Sequence, residues 1–477
     1  MNTIYDYVII GGGPTGMTLA WLFSTNDKKV ALIEKNNNLG GYHYINRIDG
    51  YYSEMGPNLY SNSYIMFNEI LKDMNLYFFD LFVPYKLNSI NLFTISENIC
   101  LLKEFIIYMF SSNYGKNILM NNFMTNNNFS KKSILHVEKI CKLSNGTTLD
   151  NYTLYQFLQL FNHHTFYKLY QPLEPNDIGL INKWKNKLLE TKNVDIYFET
   201  QITKLHTNSN FNITHIQGIK NNKIVNIYGN KFILAIPPQS LIQLLQNSTG
   251  LENSFGPLPL LKIWANDNSY VNYISLTLHY NINMDIPINN IIKSDWNIIY
   301  IVLADYINLY DNTTYKVISI MITVLDKKNE YEKTANQCSK TEIIDYIKEK
   351  FNFLPIPDKI LFSPNITRYD NKWINVNTSF TLSTFNNFME PKSKISNNLY
   401  AIGIYNGKSN YNFISLESAV QNAINFAKTE IPVLKYKYKN EHPKMLSQII
   451  YNIIIVLFLI LILIIIKNFL LTKNNES

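Results

Sequence analysis

Runs of apolar residues near the amino end alternate with polar turns in a regular strand, helix, strand order. Residues 8–10 form a short apolar run that is typical of a buried parallel strand. A helix is predicted over residues 15–24, and a second apolar strand over Val30–Ile33. This order predicts that the chain starts with a doubly wound α/β domain.

The later pattern divides into a mainly helical part and a part rich in strands. Helical periodicity is found in residues 65–74, 101–110 and 152–166, and alternation typical of strands in 194–205, 213–227 and 232–238. The second of these strand regions is predicted to be a hairpin that turns at Asn221 and Asn222. Further strands are predicted at 273–280, 296–306, 315–325 and 399–402, with helices over 341–351 and from Leu416 onward.

The carboxyl end has a different pattern from the rest of the chain. Residues 449–466 contain no charged side chain and are almost all Ile, Leu, Val or Phe, which is long enough to cross a bilayer. Lysines are more frequent before this run than after it, which places the large amino-terminal part on the cytosolic side. We therefore expect a single-pass tail anchor whose apolar segment covers residues 448–471.

Composition excludes some classes of protein. Hydrophobic residues make up 46% and charged residues 17%, and the net charge of +7 is not concentrated in a basic stripe, so no nucleic-acid partner is expected. The three cysteines, Cys100, Cys141 and Cys338, are far apart, which favours a reducing compartment and excludes a cysteine zinc site; no metal is predicted. Because the first strand follows the initiator methionine at once, no signal or transit peptide is expected.

A glycine motif lies between the first strand and the first helix. Gly11, Gly13 and Gly16 have the GxGxxG spacing, with Pro14 and Thr15 at the start of the helix. The first glycine permits a tight turn, the second a close approach to a pyrophosphate, and the third close packing of helix on strand. The amides at the helix start would attract a diphosphate. The spacing predicts a dinucleotide site, whereas a glycine turn in another kind of α/β protein would lack this ordered set.

An acidic residue ends the second strand where such sites bind the ribose. Glu34 lies about 20 residues after the glycines, and its carboxylate can accept hydrogen bonds from a ribose. We predict that Glu34 binds an unphosphorylated ribose, which favours FAD or NAD over NADP, and that the adjoining Lys35 also belongs to the cofactor site.

Two more glycine turns follow closely, at Gly40 with Gly41 and at Gly56 with Pro57. With the opening motif, they resemble the flavin-containing amine oxidase superfamily, which includes monoamine oxidases, protoporphyrinogen oxidases and phytoene desaturases. The resemblance implies that these turns approach the pyrophosphate and the isoalloxazine of FAD. The family usually has Arg and Asp where this chain has Tyr42 and Glu54. UDP-galactopyranose mutases also lack that arginine and stay an alternative.

Later segments extend the resemblance. Thr200, Ile202 and Leu205 are similar to the family strand whose backbone holds the adenine, and residues 235–237 to its A-x-P turn. Gly403, Glu417 and Ser418 match the closing motif, in which a helix aims its amino end at the flavin. Monoamine oxidases attach the flavin through a cysteine in this loop, and residues 404–413 contain none, so noncovalent FAD is implied.

The resemblance implies an α/β fold with a Rossmann-type FAD-binding domain assembled from discontinuous segments, an α+β substrate domain and a transmembrane helix. The predicted segments are FAD-binding 1–64, 193–245 and 391–430, substrate-domain 65–192 (mainly helical) and 246–390 (sheet), linker 431–447 and anchor 448–471.

The implied function is an FAD-dependent oxidoreductase that takes a hydride from an amine or another lipophilic C–H donor. The lysine that amine oxidases place beside the flavin is absent from residues 273–280, and Lys262 precedes that strand. Two alternatives remain open: a mutase, which needs arginines although the chain has only Arg47 and Arg368, and a membrane-tethered scaffold without catalysis.

Overall fold

The computed structural model describes most of the chain. The described residues are 3–56, 58–85, 93–111, 113–145, 147–164, 166–268, 272–282, 284–286, 291–292, 294–303, 316–364, 366–375, 388–407, 409, 411, 415–439, 441 and 445–474. Pro57, one of the predicted site residues, lies outside them.

The strands of the described residues are, in chain order, β1 Ile4–Ile10, β2 Val30–Ile33, β3 Ile45–Ile48, β4 Tyr51–Glu54, β5 Tyr60–Ser61, β6 Phe82–Pro84, β7 Leu169–Pro172, β8 Val194–Tyr197, β9 Gln201–Thr207, β10 Ile213–Lys220, β11 Lys223–Leu234, β12 Ile274–Tyr280, β13 Ile291–Ile292, β14 Ile298–Val302, β15 Lys316–Ile322, β16 Lys359–Phe362, β17 Ile366–Tyr369, β18 Lys372–Asn375 and β19 Leu399–Ala401.

The helices of the described residues are α1 Pro14–Ser24, α2 Ile65–Asp73, α3 Phe78–Leu81, α4 Ile95–Phe110, α5 Met120–Asn126, α6 Lys131–Asn145, α7 Leu154–His164, α8 Leu180–Glu190, α9 Pro238–Gln246, α10 Leu258–Asp267, α11 Lys340–Lys350, α12 Leu416–Glu430, α13 Leu434–Lys437 and α14 Leu446–Asn474.

The larger sheet joins segments that are far apart in the sequence. Its order within the described residues is β8-β2-β1-β11-β10-β9, with β19 beside the carboxyl half of β11. The strands β8, β2, β1, β11 and β19 are parallel, whereas β9, β10 and β11 form an antiparallel meander. Apolar side chains of α1 and α12 cover one face, and those of α9 and α10 the other. The α/β fold with a discontinuous Rossmann-type sheet is therefore confirmed, while the domain boundaries stay predictions.

The hairpin of the meander turns where its sequence predicts. Asn221 and Asn222 lie between β10 and β11 and have φ angles of 49° and 58°. Two successive left-handed residues form the tight turn that matches the twist of paired strands, and asparagine tolerates this conformation better than most residues. Strand β11 then continues to Leu234, so residues 232–238 are not a separate strand.

The prediction of one strand over residues 194–205 is wrong. The segment forms β8 at one end of the sheet order and β9 at the other. The chain turns between them at Glu199, whose φ angle is 52°. Alternation of apolar and polar residues continues through the turn, so the pattern alone does not reveal the break.

Besides the larger sheet, the described residues form a smaller sheet and a separate group of helices. Strands β13, β14, β15, β12 and β16 form an antiparallel sheet, and α11 packs on one of its faces. Helices α4 to α7 share a separate hydrophobic cluster, and the side chains of Leu446 and Ile450 from α14 pack against it.

The last helix is long and apolar enough to cross a membrane. Residues Leu446–Ile466 have a mean hydropathy of 3.5, and none of this span is buried in the protein. Because an apolar helix without protein around it is unfavourable in water, this finding is consistent with a membrane anchor.

Candidate functional site: a nucleotide cradle at the carboxyl edge of the sheet

Four neighbouring parallel strands end at the same edge of the larger sheet. Gly11 follows β1, Glu34 follows β2, Ala235 follows β11, and Gly403 lies just after β19. Ligands of open α/β sheets bind outside the carboxyl ends of the strands. The topology therefore brings the first, second and third predicted cofactor segments together at one crevice.

Two of the motif glycines are required by the packing of the protein itself. A Cβ atom on Gly11, whose φ angle is 115°, would lie 2.2 Å from the carbonyl oxygen of Ala235. A Cβ atom on Gly16 would lie 1.9 Å from the carbonyl oxygen of Gly11. A side chain at Gly11 would push the turn away from the end of β11, and a side chain at Gly16 would push α1 away from the end of β1.

Gly13 is different because the described residues leave the space beside it open. Among them, a Cβ atom there would meet only the Cα atom of Gly41, at 3.8 Å. The two glycine turns are held against each other by a hydrogen bond from the amide of Gly40 to the carbonyl of Gly12, at 2.9 Å. This open cradle between two glycine backbones, next to Pro14 at the start of α1, is suited to a diphosphate.

The amino end of a second helix meets the first one here. The hydroxyl of Thr15, in the first turn of α1, donates to the carbonyl of Ala419, in the first turn of α12, at 3.5 Å. Ser415 caps α12, and its side chain accepts from the amide of Ser418 at 3.0 Å. Two helix dipoles thus direct partial positive charge to the same region, which favours an anionic ligand.

Glu34 occupies the position expected of a ribose ligand and is also held by the backbone. Its carboxylate accepts from the amides of Gly12 and Asn36, both at 2.9 Å, and only 6% of the residue is exposed. Burial raises its pKa above the usual range, whereas the amides from Asn36 and Gly12 lower it. Each carboxylate oxygen has a second lone pair for a ligand hydroxyl. The neighbouring Lys35 is exposed.

The turn between β8 and β9 brings the predicted adenine segment to Glu34. The amide of Thr200 donates to the carbonyl of Glu34, and that of Glu199 to the carbonyl of Asn36, both at 3.0 Å. Ile202, at the start of β9, is half-buried. The break that the sequence pattern missed is therefore what places this segment beside the acid.

In the closing motif, one of the predicted residues has another role. Glu417 is fully buried, and its carboxylate accepts from the amides of Met66 and Phe67, both at 2.8 Å, at the amino end of α2. Burial raises the pKa of Glu417 to about 7, although these two amides and Gln421 lower it. The carboxylate therefore caps α2 and is occupied by it. Gly403 lies at the crevice and donates its amide to the side chain of Asn406 at 2.8 Å.

The turn at Gly56 lies between the amino-terminal segment and the smaller sheet. A Cβ atom on Gly56 would lie 2.8 Å from the hydroxyl of Tyr42, 3.4 Å from that of Tyr273 and 3.4 Å from the sulfur of Met321. The hydroxyl of Tyr273 donates to the carbonyl of Met55 at 2.7 Å. Tyr42, which replaces the family arginine, thus faces the start of β12 and the end of β15.

Next to this turn is a group of buried polar side chains that the sequence did not indicate. The Oγ atoms of Ser53 and Ser275, the Oγ1 of Thr277 and the Oε1 of Glu54 have no hydrogen-bond partner among the described residues. Alternation along β12 is visible in the sequence, but it predicts one exposed face, whereas all seven positions are buried. Buried polar atoms of this kind normally bind water or a ligand.

The acid of this group holds its proton to an unusually high pH. Burial raises the pKa of Glu54 to about 7, although Ser319 and Asn58 lower it. Since the folded pKa lies above the unfolded value of 4.5, the folded state keeps a proton that the unfolded state loses, and stability falls as pH rises from about 4.5 to 7.

Glu54→Gln mimics the protonated acid and does not titrate. We therefore expect its free energy of unfolding, relative to that of wild type, to be about 2 kcal/mol more favourable at pH 8 than at pH 5. Denaturant titrations of both proteins, without added cofactor, at the two pH values measure this difference. Equal pH dependence in the two proteins would contradict the assignment, and Glu69→Gln, at a partly exposed position of α2, serves as the control.

Two basic residues before and on β12, Lys262 and His279, are respectively exposed and already hydrogen-bonded. Lys262 is exposed on α10, which precedes β12. The ring of His279, on β12, makes a 2.8 Å hydrogen bond to the carbonyl of Tyr52, so it links β12 to β4. Neither position provides the amine that the resemblance would place beside a flavin.

Comparisons with known proteins agree with this geometry. Residues 9–74 match the family model described as an NAD(P)-binding Rossmann-like domain. No curated protein sequence matches the chain.

Solved structures with the same fold include three oxidoreductases. An oxidoreductase from Methanosarcina mazei is 11% identical with a TM-score of 0.61, covering 89% of this chain and 100% of its own. Wild-type putrescine oxidase bound to putrescine is 12% identical with a TM-score of 0.62, covering 91% and 100%. A putative protoporphyrinogen oxidase from Exiguobacterium sp. 255-15 is 12% identical with a TM-score of 0.55, covering 90% and 99%. The fold that the resemblance implies is therefore confirmed.

Proposed function

We propose that this protein is an FAD-dependent oxidoreductase that oxidises an amine or another lipophilic C–H donor. The observation that carries the proposal is the open cradle between Gly13 and Gly41, with two helix amino ends beside it and Glu34 at the next strand. These features suit a diphosphate joined to a ribose. The similarity of fold to putrescine oxidase and protoporphyrinogen oxidase supports oxidation chemistry.

Each part of the cofactor has a proposed set of ligands in the chain. Gly11, Gly13, Pro14, Thr15 and Gly16 would bind the pyrophosphate, Glu34 the ribose, and the backbone around Ile202 the adenine. Gly40, Gly41 and Gly56, with Gly403, Ser418 and the amino end of α12, would face the flavin. Pro57 stays a prediction from the sequence alone, Lys35 is exposed, and Glu417 would act indirectly by fixing α2 against α12.

The chemistry would be divided between the cofactor and the protein. When bound, FAD would supply the redox chemistry, which is the acceptance of a hydride from a substrate C–H bond. The chain would bind FAD noncovalently, since residues 404–413, the closing loop, contain no cysteine. The side chains of Tyr42 and Tyr273 and the buried hydroxyls of β12 would orient a substrate at Gly56 and exclude bulk water. Glu54 would hold a proton there near neutral pH.

The positions of Arg47 and Arg368 favour the oxidoreductase over the mutase alternative. The guanidinium of Arg47 makes two hydrogen bonds to the carboxylate of Asp177, at 2.5 and 3.0 Å. Arg368 is exposed on β17 and donates to the carbonyl of Gln337. A UDP-sugar would need cations for its diphosphate, and both of these side chains already have partners elsewhere.

Absorption spectroscopy of the full chain in mild detergent tests the proposal. We expect a bound flavin that bleaches without oxygen when a suitable donor is added, with putrescine, a porphyrinogen and NADPH as the first probes. Failure to bind FAD would overturn both the oxidoreductase and the mutase proposals. Bound flavin that no donor reduces, with UDP-galactose binding to the chemically reduced protein, would favour the mutase, and flavin without either response would favour the scaffold.

For localisation, we propose that α14 anchors the protein in a membrane with residues 1–445 on the cytosolic side. The uncovered apolar span supports the anchor, and the excess of lysines before it supports the orientation. Such an anchor would hold the site close to lipophilic substrates in the bilayer.

A further inference from the structure

Helix α4 has its apolar and acidic sides reversed relative to a surface helix of a soluble protein. Five large apolar side chains point outward and are between 47% and 81% exposed: Ile95, Ile99, Leu102, Ile106 and Phe110. Their spacing of three and four residues puts them on one face, about 22 Å long. We call these five residues the α4 stripe. A continuous apolar face of this size is uncommon on a protein surrounded by water.

The two acids of the same helix are turned inward. Glu97 is 5% exposed and Glu104 is 7% exposed. The carboxylate of Glu97 accepts from the amides of Ser130 and Thr94 and from the hydroxyl of Ser133, at 2.6 to 2.8 Å. Glu104 accepts from the hydroxyl of Tyr114. Burying a carboxylate costs free energy, which these hydrogen bonds must offset. With its acids inside and its large apolar side chains outside, α4 is suited to an apolar medium around the protein.

The proposed anchor begins on the same group of helices. The amide of Ser447 donates to the side chain of Asn162, on α7, at 2.9 Å, and Leu446 and Ile450 pack on the cluster shared by α4 to α7. The rings of Phe105 and Phe161 join α4 to α7 with centroids 5.6 Å apart. The start of α14 and helix α4 therefore both pack on α7 and on the hydrophobic cluster of α4 to α7.

We propose that the α4 stripe lies in the interfacial layer of the bilayer that α14 spans, with its side chains among the acyl chains. An in-plane helix with an apolar face is a common mode of membrane contact, and the attachment of α14 keeps this face near the lipid. The exposed Lys131 and Lys132, next to the segment that binds Glu97, suit anionic headgroups at the amino end of α4. This inference rests on the proposed anchor and is independent of the cofactor.

Fluorescence quenching in nanodiscs containing phosphatidylcholine and phosphatidylserine tests the proposal. The full chain with Cys100→Ser, and with one of Ile99→Cys, Leu102→Cys or Ile106→Cys, is labelled with an environment-sensitive dye. Lipids with a spin label in the acyl chain are expected to quench these dyes at least twofold. Labels at Ile224 and Leu260, which are 67% and 62% exposed in other elements, are the matched controls and should not be quenched.

A label at Leu457 in α14 separates this inference from the anchor itself. Quenching at Leu457 and at the α4 stripe supports both proposals. Quenching at Leu457 alone overturns the inference and leaves the anchor, and no quenching at either place overturns both. Blue-shifted emission of the α4 labels without quenching by lipid would mean that a second copy of the chain covers the stripe, which also overturns the inference.

Discussion

Gly13→Ala is expected to leave the stability of the flavin-free protein unchanged and to weaken FAD binding at least tenfold, or by about 1.4 kcal/mol. Gly13 has φ and ψ angles of −76° and −179°, which alanine adopts without strain. Of the residues that the structure describes, the added methyl group would meet only Gly41, whose Cα atom would lie 3.8 Å away. It would, however, occupy the cradle that the proposed diphosphate needs. Thermal unfolding and flavin fluorescence titration measure the two effects separately.

Gly16→Ala is the contrasting variant. Its Cβ atom would lie 1.9 Å from the carbonyl oxygen of Gly11, so we expect loss of folded protein as well as of FAD. If Gly13→Ala bound FAD as tightly as wild type, the diphosphate would not lie in the cradle. The comparison therefore distinguishes a glycine needed for the ligand from one needed for the fold.

Glu417→Ala is expected to lower the free energy of unfolding by about 3 to 4 kcal/mol. The carboxylate is fully buried and accepts from the amides of Met66 and Phe67, so its removal leaves two buried donors at the amino end of α2 without partners. Unsatisfied buried donors cost about 1 to 3 kcal/mol each. Denaturant unfolding of the detergent-solubilised full chain, in the absence of FAD, measures the loss.

Two further variants control this prediction. Glu417→Gln keeps one acceptor oxygen and should lose less than half as much stability. Glu69→Ala removes a partly exposed carboxylate of α2 that forms an ion pair with the exposed Lys72, and it should change stability by less than about 0.5 kcal/mol. If Glu417→Ala were as stable as Glu69→Ala, the inter-helix cap would not hold α2.

Local patterns were sufficient for the elements whose signal lies within a few residues. The glycine motif, the strand to Ile33 and the hairpin at Asn221 and Asn222 all depend on backbone conformations that their own residues favour. The helices at 65–74 and 341–351 are likewise found within one residue of their predicted ends. These features need no knowledge of distant partners.

The candidate site depended on contacts between distant segments. The turn at Glu199 is stabilised by amides that bond to Glu34 and Asn36, and the role of Glu417 comes from α2, about 350 residues earlier. The buried hydroxyls of β12 lie inside only because β4 covers a face that its alternation predicts to be exposed. A one-dimensional pattern contains no information on which strand covers which face.

The sequence by itself determined a Rossmann-type α/β fold, an anion-binding helix start and an apolar carboxyl-terminal run, because short-range sterics and hydrophobic periodicity specify each of them. Only the tertiary structure decided which glycine has open space beside it, which acid is occupied by another helix, and that α4, whose acids turn inward, shares a hydrophobic cluster with the start of α14. The physical reason is that burial and hydrogen-bond partners are properties of pairs of segments, which exist only after the chain has folded.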